Sequence, residues 1–305
     1  SVQVCRLLEI EGESVELVKS VVYLMKNDLT TQMVYEFPEL QGVMGRIYAK
    51  IAGEPQEVYQ AIEEQYTEGI PETFSGCIAS LADNLDTIAG NLLINHIPSG
   101  SKDPFGLRRA LQKCLHILVS REWDIDLQEL FDVAIKQYRF EIDNKQLETI
   151  KNIFFDLLKN RIDYYLSEKE IPYDVINATA HIANNPMRCV ISANALKDLK
   201  KNGDITDLMR IFERVHNISK NHLSTYYDSR LFEHQEEIIL EEHYNDIRDE
   251  IYSALDRLDY QTALEKIKHL KTDIDNYFEN VFVMSEREDL KLTRLGFLKN
   301  LDDFL

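Results

Sequence analysis

Leu147-Glu-Thr-Ile-Lys-Asn-Ile-Phe-Phe-Asp-Leu-Leu-Lys-Asn-Arg-Ile-Asp-Tyr-Tyr-Leu166 sets Leu147, Ile150, Ile153, Phe154, Leu157, Leu158, Ile162, Tyr165 and Leu166 at three- and four-residue steps. That spacing is one apolar stripe along a helix. Ile171-Pro172-Tyr173 breaks it, and Asn184-Asn185-Pro186 ends the shorter helix after it. Helical spacing recurs nearly everywhere else, and 11 Gly and 7 Pro in 305 residues are too few turn formers for a sandwich or a long βαβ series. The chain is therefore expected to be all-α. With 44% hydrophobic residues it can build two or three cores.

Composition narrows the function classes. A net charge of -19 opposes nucleic-acid binding, because Lys and Arg drive phosphate neutralisation and counterion release. A local basic face can still bind RNA while the acidity elsewhere keeps the chain soluble. Cys5, Cys77, Cys114 and Cys189 form no C-x-x-C pair, so they read as buried apolar residues of a reducing cytoplasm rather than zinc ligands or a disulfide framework. No apolar run approaches the roughly 20 residues that span a bilayer, and residues 1 to 30 lack the order of a signal peptide. The start Ser1-Val-Gln-Val reads as a piece of a longer chain.

Three stretches are expected: 1–122, 123–190 and 191–305. The first holds a helix through Leu17, Val21 and Met25, a turn over Glu36 to Gly45, a helix from about Pro55 to Tyr66, a loop from Gly69 to Gly76 and a helix through Ala82 to Ile88. Asp103-Pro104 predicts an N-cap followed by proline at the first position of a helix over Phe105 to Leu118. The second stretch is a helical connector. In the third, Gly203-Asp-Ile-Thr206 introduces a helix bearing Leu208, Ile211, Phe212 and Val215, and further helices are expected over Glu233 to Leu258, Tyr260 to Asn276 and Glu286 to the end. Ser285-Glu-Arg-Glu288 fits a capping box, and Leu292, Leu295, Leu298, Leu301 and Leu305 form the buried side of the last helix.

Two motifs carry more than structure. Met33-Val-Tyr-Glu-Phe-Pro-Glu-Leu-Gln-Gly-Val-Met-Gly45 sets Pro38, Gly42 and Gly45 in a helix-forming context, demanding a chain break and a close backbone approach. Ser99-Gly-Ser-Lys-Asp-Pro-Phe-Gly-Leu-Arg-Arg109 follows about fifty residues later. Together they resemble the β subunit of bacterial two-subunit glycyl-tRNA synthetase, over the C-terminal part of the family's chain. Phe212-Glu-Arg-Val-His-Asn-Ile218, Tyr277-Phe-Glu-Asn-Val-Phe-Val-Met284 and Arg294-Leu295 resemble the helical anticodon-binding module of the arginyl, cysteinyl and related synthetases. Glu213, where that module usually has a basic residue, and Glu288-Asp-Leu-Lys291 depart from its pattern.

The resemblance implies an HD-like but degenerate domain over 1–122, with Asp28 and Asp83 as remnants of a metal site, and an anticodon-binding-like bundle over 191–305. A hydrolytic site needs several converging ligands, and the first 95 residues contain no histidine, so a divergent HD-type metal phosphohydrolase is a rival reading only. An acidic protein-binding scaffold is another. Asp83 and Asp86 read equally as a solvated pair, and Glu36 with Glu39 is rejected as an acid and base pair. Gly100-Ser-Lys102 misses the phosphate-loop order. Lys102, Arg108, Arg109 and the start of the helix after Pro104 instead form a candidate phosphate site; the equal alternative is that Asp103 caps the helix and the arginines pair locally. In the C-terminal module Arg214, Asn217, Lys220, Arg287, Lys291 and Arg294 are candidate RNA contacts, while Phe278, Phe282 and Met284 are expected in the core. By resemblance the whole is a tRNA-binding part that positions glycine tRNA for an α subunit holding ATP and Mg, in an α2β2 cytoplasmic enzyme. The chain itself is expected to hold no cofactor, no metal and no catalytic residue, and to have no membrane partner.

Overall fold

The computed structural model describes residues 1–67, 69–100, 102–139, 142–203 and 205–304. Among these there is no strand, and an isolated antiparallel bridge joins Ser99 to Lys102. The helices are α1 (Val2–Leu7), α2 (Glu13–Leu24), α3 (Gln32–Glu36), α4 (Val43–Ile51), α5 (Gln56–Glu64), α6 (Phe74–Leu93), α7 (Leu107–Ser120), α8 (Leu127–Ile135), α9 (Asn144–Glu168), α10 (Tyr173–Thr179), α11 (Pro186–Lys201), α12 (Ile205–Ser219), α13 (Gln235–Asp256), α14 (Tyr260–His269), α15 (Lys271–Asn280) and α16 (Glu288–Phe304). The all-α expectation is met. The chain forms two compact units, Ser1–Val190 and Ile191–Leu305.

In the first unit α6 is the central helix, packed against α2, α5, α7 and α8. Its first two turns are buried from Ser75 through Leu81, with Ser75, Gly76, Ala79 and Ser80 small enough to admit neighbours on every side. Thr73 caps it by accepting the Gly76 N–H at 3.1 Å, and Glu64 holds that cap through the Thr73 N–H at 3.0 Å and its hydroxyl at 2.6 Å. The stretch 123–190, expected as a connector, lies in this same unit: α8 packs on α6, and α9 packs on α7. The stripe of α9 narrows to a spine of Ile150, Phe154, Leu158, Ile162 and Leu166, each one turn from the next. All four cysteines are free and buried, and burial pushes the thiol of Cys114 up to about 12.

The Met33 to Gly45 motif owes its glycines to Asp28. That residue is buried, and its Oδ2 accepts the Gly42 N–H at 2.7 Å. Gly42 presents its amide from a φ of 81°, which side chains other than glycine rarely adopt. One turn on, a Cβ on Gly45 would lie 2.7 Å from Ile62 Cγ2 and 3.3 Å from the Asp28 carboxylate. The motif is thus a seat that packs α4 against α5 and the turn at Asn27–Thr30.

The second unit is built around Tyr277, Phe297, Tyr244, Leu240, Ile274 and Leu298. Several local expectations change here and at α7. Helix α7 begins at Leu107 rather than Phe105, with Gly106 in the left-handed region at its cap. The helix expected from Tyr260 to Asn276 is two helices meeting at Leu270. Helix α16 begins at Glu288, so Ser285 and Glu288 do not span its first turn as a capping box; the Ser285 hydroxyl accepts the Arg287 N–H at 3.2 Å instead. Leu292 is 46% exposed, because Leu290, Thr293, Arg294, Phe297 and Leu301 face the core, and Leu305 lies outside the described residues.

Candidate nucleic-acid interface

Helix α7 sets Arg108, Gln112 and His116 at four-residue steps, and α9 with its cap does the same for Arg161, Tyr165 and Lys169. Residues four apart stack on one face of a helix. Because α7 and α9 pack together, these two rows, with Arg109, Tyr164 and Glu168, line an open groove of about 500 Å³. Asp103 accepts the N–H groups of Leu107 at 2.9 Å and Arg108 at 3.0 Å, so two of the free amides of this helix end are taken. The arginines are not taken: among the described residues neither Arg108 nor Arg109 forms an ion pair, and nor does Arg161. Of the local alternative, the Asp103 cap is present and the pairing of the arginines with nearby acids is not. Lys102 is exposed on the bridge turn, outside the groove lining.

Inside the groove Arg161 sits 5.7 Å from the Tyr164 ring and Lys169 5.7 Å from the Tyr165 ring, within cation–π range. The Nε2 atoms of Gln112 and His116 are 2.8 Å apart, and burial followed by the Lys169 charge pulls the imidazole below its ordinary pKa. His116 is thus a neutral hydrogen-bonding group at pH 7 rather than a further cation.

The candidate cations of the second unit are held differently. Arg294 is only 3% exposed; its Nε donates to Glu237 Oε1 at 2.7 Å, Nη2 to Oε2 at 3.0 Å and Nη1 to the Phe282 carbonyl at 3.0 Å. The Glu237 carboxylate also accepts the backbone N–H groups of Glu233 and His234 at 2.9 Å each. Arg294 is therefore an internal clamp between α13 and α16, and its expected place among RNA-facing residues is withdrawn. Arg287 pairs with Glu233 and Asp289, Lys291 with Glu288 and Arg214 with Asp275, while the Arg214 guanidinium lies 4.8 Å over the Phe278 ring. Asn217 and Lys220 are exposed and joined at 3.1 Å.

The aromatic expectation is also corrected. Phe278 is half-buried against the core, but Phe282 is 72% and Met284 51% exposed, alternating with buried Val281 and Val283 in the segment between α15 and α16. Tyr226 and Leu223, which sequence reasoning passed over, are 76% and 95% exposed. Period-two alternation over 281–284 was the signal available for the first pair.

Asp28 and Asp83 are not brought together as a ligand set. Asp83 pairs with Lys26, Asp86 accepts the Tyr138 hydroxyl at 3.0 Å, and Asp28 anchors Gly42. Among the described residues no group of three or more His, Cys, Asp or Glu side chains is arranged to hold a metal ion. Nor is any helix among them long and apolar enough to cross a membrane.

The comparisons agree with this division of the molecule. A family model described as glycyl-tRNA synthetase beta subunit matches residues 2–181, and one described as DALR anticodon binding domain matches residues 207–305. The chain is 42% identical to the glycine–tRNA ligase beta subunit of Thermotoga neapolitana, over 99% of its own length and 44% of that protein. It is 41% identical to the Thermotoga maritima protein of the same name, over 99% and 44%, and 33% identical to that of Bacillus subtilis, over 97% and 43%. It spans somewhat less than half the length of these relatives. The chain belongs to the glycyl-tRNA synthetase β-subunit family and carries its helical anticodon-binding domain.

Proposed function

We propose that this chain is a tRNA-binding part of a glycyl-tRNA synthetase β subunit, and that it positions glycine tRNA for aminoacylation by an α subunit. The observation that carries this reading is the anticodon-binding match over 207–305, coming after a β-subunit match over 2–181. ATP and Mg act at the α subunit, and the present chain is catalytically silent alone. Its contribution is positional. Contacts made far from the reacting groups supply binding energy that fixes the acceptor end in the partner's active site, converting tRNA affinity into rate. In this reading the second unit grips the anticodon arm. Exposed Phe282 and Met284 offer stacking surface, with Arg214, Asn217, Lys220, Arg287 and Lys291 around the module as polar contacts. The first unit holds another part of the tRNA.

Titration of the purified chain with glycine tRNA and a non-cognate tRNA across a salt series tests the proposal. Cognate-preferring binding that weakens steeply with salt is expected. Absence of binding at every salt concentration overturns it and leaves a protein-binding scaffold.

A further inference from the structure

We propose that the groove between α7 and α9 binds an unpaired RNA segment, with Arg108, Arg109, Arg161 and Lys169 on its phosphates and a base stacked on Tyr164. The inference rests on the tRNA-binding reading and adds where the first unit holds RNA and in what form.

Charge is the first argument. Acidic residues outnumber Lys and Arg by 53 to 34 in this chain, so an arginine without a carboxylate is not short of candidates. Elsewhere in the same unit Arg46 pairs with Glu63 and Arg188 with Asp124. Three arginines of the groove, Arg108, Arg109 and Arg161, share it with one lining carboxylate, Glu168, and among the described residues they form no ion pair. Clustered like charges repel one another, and that repulsion is relieved by an anion bound among them.

The aromatic rings specify which anion. Tyr164 is 53% exposed and already carries Arg161 beside its face. An arginine stacked on a ring above a cationic groove is the arrangement that takes a base on the ring and its phosphate on the guanidinium. A base inside a duplex has no free face to offer, so this contact selects unpaired nucleotides. The volume of about 500 Å³ suits one or two nucleotides. Gln112 and neutral His116 supply hydrogen-bonding groups on the wall formed by α7.

The test is fluorescence-anisotropy titration of the 305-residue chain with a glycine-tRNA transcript and, separately, with single-stranded oligouridine over a salt series. The variants are Arg109→Glu/Arg161→Glu, Tyr164→Ala and the control Arg230→Glu, with thermal melts as a check on folding. The double variant is expected to weaken both ligands by more than about tenfold and to lower the salt slope by about two. Tyr164→Ala is expected to weaken oligouridine by roughly tenfold, and the control to change neither. Should the double variant fail to fold, Arg109→Gln and Tyr164→Ala serve in its place.

If parent chain and groove variants bind tRNA equally, the groove assignment falls and the tRNA reading stands. If oligouridine binding depends on the groove while tRNA does not bind, the groove stands and the tRNA reading falls. If neither RNA binds the parent chain, both fall.

Discussion

The α7/α9 groove and the cations of the anticodon-binding unit are two ways of using positive charge in an acidic protein. In the groove, Arg108, Arg109 and Arg161 have no carboxylate partner among the described residues. In the second unit Arg214, Arg287, Lys291 and Arg294 each have one. A phosphate approaching the groove arginines meets uncompensated charge, whereas one approaching these four residues of the second unit must compete with a carboxylate already in place. What the second unit leaves open instead is apolar surface, at Phe282, Met284, Tyr226 and Leu223. The difference teaches that a motif can locate a binding domain without locating its binding charges: Arg294, which lies in a segment that resembles the family, is spent on cohesion.

Breaking the buried clamp is the largest effect this comparison predicts. Glu237→Ala strands the Arg294 guanidinium inside the domain and is expected to cost about 3–5 kcal/mol in chemical unfolding of the second unit, while Arg109→Gln leaves the unfolding midpoint unchanged. The same clamp has a pH signature. Burial pushes the Glu237 carboxyl up, but the Arg294 side chain and the His234 and Glu233 amides outweigh it and hold the carboxyl below its ordinary range. Its stabilisation is therefore complete above the unfolded carboxyl pKa of about 4.3 and is lost as pH falls through the lower folded value. Acid melts from pH 6 downward should show that loss in the parent and a shallower dependence in Glu237→Gln.

Smaller effects sharpen the account at the Asp28 seat and at the exposed ring. Gly45→Ala drives a methyl toward Ile62 Cγ2 and is expected to cost about 1–3 kcal/mol of first-unit stability by denaturant titration. Phe282→Ala removes an exposed ring, so melts should be unaltered, and tRNA affinity should fall by about 1–3 kcal/mol if a base stacks there. Unchanged affinity would remove Phe282 from the interface.

Much of this was legible in the residues themselves. The stripe of α9, the scarcity of turn formers and the punctuation at Pro172 and Pro186 suffice for an all-α chain. The strain at Gly42 and Gly45 was readable as a demand for close approach, though not that Asp28 makes the demand, because the two are linked only by folding. Arg108 and Arg109 were visible as a basic pair. Their partners on α9 were not, since Arg161 and Lys169 flank a stripe whose apolar members, Tyr165 among them, dominate its pattern. Two four-residue rows on different helices become one site only when the helices pack. Arg294 was misplaced for the converse reason: nothing local announces that Glu237, far away in the chain, is folded in beside it.

The most direct test of the account sets the two regions side by side in one assay. Glycine-tRNA affinity is measured against salt for the parent chain, for Arg109→Glu/Arg161→Glu in the groove and for Arg287→Glu/Lys291→Glu in the second unit. The account predicts that the groove variant lowers the salt slope by about two and that the second-unit variant, whose cations are already paired with carboxylates, lowers it by less. Equal slopes for the parent and the groove variant, with the loss confined to the second-unit variant, would contradict it.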